Sequence, residues 1–102
     1  MYRSDDIIDL VWNKGIVVDG FEPRLWRKDE LGAWIARLRY SDNSSDYGWE
    51  AGKIAPGGPD TPANLRPLQW RNCPGGGGHP SHRVTAEGDH NVVIRSREGA
   101  LA

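Results

Sequence analysis

Residues 47–72, YGWEAGKIAPGGPDTPANLRPLQWRN, constrain the fold of this chain more than any other stretch. Tyr47 and Trp49 start an apolar, aromatic strand that breaks at the small pair Ala51-Gly52, and Lys53 turns the chain outward. A loop follows at Pro56-Gly57-Gly58-Pro59, residue types that punctuate rather than extend a ladder. A second short apolar run, Leu65, Leu68 and Trp70, closes the stretch at Asn72. The order is strand, loop, Asn-Leu, short helical turn.

The rest of the chain has to fit around that unit. At 102 residues it makes one domain with a single modest core. The 13 Gly and 7 Pro make it rich in loops, so the five Trp are expected to supply much of the core from short elements. A formal net charge of −1 does not announce a nucleic-acid binder. The lone cysteine, Cys73, excludes an internal disulfide and a Cys-based zinc site. No apolar run has transmembrane length and the start, MYRSDD, lacks signal-peptide character, so a cytoplasmic protein with no membrane partner is expected.

Ser4 is placed to cap a helix, with Asp5 and Asp6 in its first turn, Ile7, Ile8, Val11 and Trp12 on one face, and Gly15 at the stop. Ile16-Val17-Val18 reads as a short strand entering the Asp19-Gly20 turn. From Ala33 the residues alternate: Trp34, Ala36, Leu38 and Tyr40 on a packed face, Ile35, Arg37 and Arg39 on the other. This predicts a strand to Tyr40 whose arginines form either a solvated face or a phosphate-contacting strip. Near the end, Arg83–Ala86 and Asn91–Arg95 flank Glu87-Gly88-Asp89 as a hairpin. His79 and His82, three apart in a Pro/Gly segment, make a poor metal site and read as solvated loop.

The central stretch resembles the core of the HNH endonucleases, a ββα-metal finger that cuts DNA. That pattern runs G-W-E-x-D-H-I, a Gly-rich loop, then N-L-x-P-L-x-W-x-N-N. Gly48, Trp49, Glu50 and Ile54 match its front, and Asn64, Leu65, Pro67, Leu68, Trp70 and Asn72 its back. Upstream, Trp12–Gly15 and the spaced Gly20, Pro23, Trp26, Arg27, Asp29, Gly32 and Ile35 look like the leader of small stand-alone HNH proteins. The resemblance implies an α+β fold: an HNH-like ββα core, an N-terminal helix, short antiparallel strands and a C-terminal hairpin. It divides residues 1–95 into leader 1–46, core 47–72, Gly linker 73–82 and hairpin 83–95, with a tail at 96–102.

The chain departs from the family in its chemistry. Gly52-Lys53 stands where the family has Asp-His, its metal ligand and general base. Glycine has no ligand atom, and lysine, with an unperturbed pKa of about 10.4, is a poor base at neutral pH and repels a metal. Cys73-Pro74 and four glycines stop the closing helix at Asn72. Glu50, Gly52, Lys53, Asn64 and Asn72 are therefore degenerate positions, with no catalytic residue, cofactor or tightly bound Mg2+, Mn2+ or Zn2+ expected. The double change Gly52→Asp with Lys53→His should create some metal affinity.

Three functions follow from the resemblance. The first is an inactive HNH-like protein that binds a nucleic-acid backbone, DNA ahead of RNA, through Arg37, Arg39, Lys53, Arg66 and Arg71 on one surface. The second is a protein-binding inhibitor or regulator of a nuclease or phage-defence complex. The third is an atypical active nuclease that takes catalytic groups from Glu50, His79 or His82.

Overall fold

The computed structural model describes residues 4–73 and 82–95. It is a mixed α+β arrangement in which one helix, α1 (Ser4–Trp12), accompanies three antiparallel strand pairs. These are β1 (Trp26–Lys28) with β2 (Trp34–Ala36), β3 (Trp49–Lys53) with β4 (Leu65–Gln69), and β5 (His82–Glu87) with β6 (His90–Arg95). Isolated two-stranded ribbons are marginal in water, so packing and polar cross-links between the pairs must hold them.

The apolar face predicted for α1 is the face it buries. Val11 and Trp12 join Ile35, Trp49 and Leu65 in the core, with Ile7, Ile8, Tyr40 and Ala51 packed around them. Trp49 meets Trp12 and Tyr40 at ring-centroid distances of 5.2 and 4.9 Å, contacts worth about 0.5–1.5 kcal/mol each beyond area burial. Trp12, Trp34 and Trp49 are buried, while Trp26 and Trp70 are partly exposed. Gly48 fits where nothing larger would, because a Cβ there would lie 1.8 Å from the Asp42 carbonyl oxygen.

Asp29 is the main polar cross-link. It is 0% exposed; Oδ1 accepts from the N–H groups of Leu31 (3.0 Å) and Ala33 (2.8 Å), and Oδ2 from Gln69 N–H and Asn72 Nδ2 (2.9 Å each). One carboxylate thus ties the β1–β2 turn to β4 and to the 3-10 turn Trp70–Asn72. Two asparagines attach the last hairpin. Asn72 donates to the Val84 carbonyl (2.9 Å) and accepts from its N–H (2.6 Å), and Asn91 does the same with Trp34 (2.8 and 2.7 Å).

Two strand expectations are corrected. Ile16–Val18 is not a strand but a single bridge, Ile16 to Lys28, and Val17 is 55% exposed. The strand from Ala33 ends at Ala36, and Arg37–Arg39 is a 3-10 turn. The ladder gives out just beyond: Arg37 N–H makes a last bond to the Leu25 carbonyl at 3.0 Å, and Leu25 and Trp26 both donate back to Glu22 in a turn. Leu38, expected on the packed face, is 82% exposed. The C-terminal hairpin forms as expected, turning at Gly88 (φ 64°), although β5 starts at His82, inside the anticipated linker. Residues 74–81 and the 96–102 tail lie outside the described residues, including His79. No helix of the described residues is long and apolar enough to cross a membrane.

Candidate functional site

Of the positions compared with the HNH pattern, Glu50, Gly52 and Lys53 lie on β3, Asn64 just before β4 and Asn72 in the 3-10 turn after it. Side chains alternate across a strand and cross-strand partners share a side. The register pairs Trp49 with Gln69, Glu50 with Leu68, Ala51 with Pro67, Gly52 with Arg66 and Lys53 with Leu65. Trp49, Ala51, Lys53 and Leu65 therefore share the face toward α1, and Glu50, Gly52, Arg66 and Leu68 share the opposite one. Lys53 and Arg66, expected on one surface, project from opposite faces.

Gly52 is buried and its position is filled. A Cβ there would stand 3.0 Å from Leu68 Cδ1 and 3.2 Å from Cys73 Sγ. Burial pushes the Cys73 thiol above the ordinary range; Glu50 adds to the rise and Arg66 opposes it. Glu50 itself accepts from Ser41 Oγ at 3.3 Å. Asn64 holds the loop between the strands: Oδ1 accepts from Ala55 N–H (2.9 Å), and Nδ2 donates to the carbonyls of Ala55 (3.1 Å) and Pro59 (2.9 Å). Asn72 is committed to Asp29 and Val84. Among the described residues no three His, Cys, Asp or Glu side chains converge as metal ligands.

Each of the five cations assigned to a phosphate-binding surface faces a carboxylate of this chain. Arg37 meets Asp9 at 2.7 Å, Arg66 meets Glu30 at 2.9 Å and Lys53 meets Asp60 at 3.4 Å. Arg39 lies 3.6 Å from Asp42, and Arg71 lies 3.9 Å from Asp46 while stacking on Trp70 at 4.6 Å. Hydrogen bonds from the Ser44 hydroxyl and backbone, with Arg39 adding attraction, hold the Asp42 carboxyl below its usual range. Exposed pairs of this kind are worth about 0–1 kcal/mol, so they neutralise the surface more than they stabilise it.

The 3-10 turn creates a surface that the alternating pattern concealed. Leu38 stands between two concavities. One, of about 660 Å³, is lined by Leu25, Trp26, Ala36, Leu38, Arg39, Ser45 and Tyr47. The other, of about 510 Å³, is lined by Asp9, Trp12, Asn13, Arg24, Arg37 and Leu38. Leu25 is 46% exposed beside it, so the apolar rim continues past Leu38. The signal available in the sequence was Pro23 followed by Leu25 outside any apolar period.

Comparison with known proteins gives no match to this chain among protein-family models, curated sequences or solved structures.

Proposed function

We propose that this chain is a non-catalytic binding module on an HNH-like scaffold, and that it acts through a protein partner. The observation that carries the choice of partner is the contrast between its two candidate surfaces. All five cations of the phosphate-binding reading are engaged with the chain's own carboxylates, whereas the groove beside Leu38 exposes apolar side chains with no cover among the described residues. An uncovered apolar patch rimmed by polar groups is the usual form of a protein-contact site.

The lining also states the chemistry of the occupant. The charged groups around the two concavities are Arg24, Arg37 and Arg39 against Asp9. Each of these arginines is paired with a carboxylate of this chain, Arg24 with Glu22, Arg37 with Asp9 and Arg39 with Asp42, so the lining suits a protein segment held chiefly by one bulky apolar anchor beside Leu38. The non-catalytic part of the reading is supported by Gly52, which carries no ligand atom and lies where a Cβ would press on Leu68 and Cys73.

A random peptide library displayed on phage, selected in parallel on the wild-type chain and on Leu38→Asp, tests this. Leu38 is so exposed that the variant keeps its fold. The wild type should enrich peptides with a Leu or aromatic anchor, and the variant should not. Equal enrichment by both proteins, or none by either, would overturn the groove as the contact surface.

A further inference from the structure

The outer edge of β6 carries a second, independent surface. Residues alternate along an antiparallel ribbon between pointing their N–H and C=O groups at the partner strand and away from it. Val84 uses both backbone groups on Asn72, and Ala86 N–H donates to the Gly32 carbonyl at 3.1 Å, so these β5 residues point away from β6. Their cross-strand partners are Val93 and Asn91. Those two must then point their own backbone groups away from β5, and no hydrogen bond reaches them among the described residues.

Natural sheets guard such an edge with proline, lysine, a bulge or a covering loop. The stretch Asn91-Val92-Val93-Ile94 has no charge and no proline, and the register runs without a bulge from His82–Arg95 to Glu87–His90. Val93 is 46% and Ile94 42% exposed. The edge offers a row of backbone donors and acceptors together with apolar side chains, which is what an added strand requires.

We infer that this edge pairs with the same edge of a second copy, β6 against β6 in antiparallel register about a two-fold axis at Val93. That register sets Val93 against Val93 and Asn91 against Arg95, so no like charges face each other. It also merges two marginal ribbons into one four-stranded sheet, which gives each hairpin the neighbour it lacks. The edge is only six residues long. An edge of this length makes a small interface beside the roughly 800 Å² per partner of standard ones, so the dimer is expected only at high concentration.

Sedimentation velocity over a concentration series running from about 10 µM to about 1 mM reads this out, and amide exchange of Val93 provides a local probe. The wild type should shift from monomer to dimer, with the Val93 amide gaining protection as concentration rises. Val93→Pro removes only an outward N–H, as edge strands tolerate, so it should leave the far-ultraviolet spectrum intact and weaken dimerisation at least about tenfold. Val93→Lys, which keeps every backbone group, should weaken it as well. A wild type that stays monomeric throughout, or a dimer indifferent to both substitutions, overturns the inference.

Discussion

A side chain at position 52 would crowd Leu68 and Cys73, whose side chains would have to shift by a few tenths of an ångström to admit its Cβ. Gly52→Asp is expected to destabilise the fold by about 1–3 kcal/mol in urea denaturation, the range for overfilling a packed site. With Lys53→His added, crowding by Leu68 and Cys73 is expected to keep metal affinity low unless Cys73→Ala makes space. Isothermal titration with Mn2+ checks it: the double variant should be silent. Cys73 gives a second residue-scale test. Its folded thiol pKa is raised, so the fold binds that proton more tightly than the unfolded chain does. The associated stability is complete below the ordinary thiol pKa and is lost as pH rises through the raised one. Alkylation by iodoacetamide at neutral pH should be slow in the folded chain and accelerate on unfolding. Asp29→Ala would strand the N–H groups of Ala33 and Gln69 in the interior, and it should cost about 3 kcal/mol or more by the same denaturation assay.

At the scale of elements, the reading from sequence succeeded where the determining interactions are local. The periodicity of Ile7, Ile8, Val11 and Trp12 depends only on helical geometry, and the Glu87-Gly88-Asp89 turn depends on one positive φ. It failed where an element's end is decided by a distant segment. β2 stops at Ala36 because β1 curls into its own turn at Glu22, a fact invisible in residues 33–40. The alternation through Leu38 and Tyr40 was genuine, but the 3-10 turn interrupts it: Arg37 N–H still reaches the Leu25 carbonyl, and Tyr40 bridges singly to Trp49 of β3. The part played by Asp29 was equally hidden, since an Asp before a turn is ordinary and its Oδ2 partners lie 40 and 43 residues away. Asn91 has the same long-range character. Replacing it with Ala should loosen the β5–β6 hairpin from the body, lowering amide protection at Val84 and Ala86 while leaving α1 protected, as native-state exchange would show.

For the whole molecule, the question is which surface meets the outside world. The five cations are distributed over both faces of the β3–β4 hairpin (Lys53 and Arg66), the 3-10 turn Arg37–Arg39 and the 3-10 turn Trp70–Asn72 (Arg71), each beside a carboxylate, and the formal net charge is −1. A continuous positive strip, the footprint of backbone recognition, is not assembled from them. The groove beside Leu38 and the β6 edge are two surfaces that expose apolar side chains among the described residues. The most direct measurement is a fluorescence-anisotropy titration of a labelled DNA duplex with the wild-type chain at about 50 mM salt, where phosphate contacts are strong. With the cations neutralised internally, no saturating rise should occur at protein concentrations on the order of tens of micromolar. Saturable binding in that range, weakening steeply with salt and losing up to about two units of log–log slope in Arg37→Ala with Arg39→Ala, would contradict it and establish these arginines as a nucleic-acid contact.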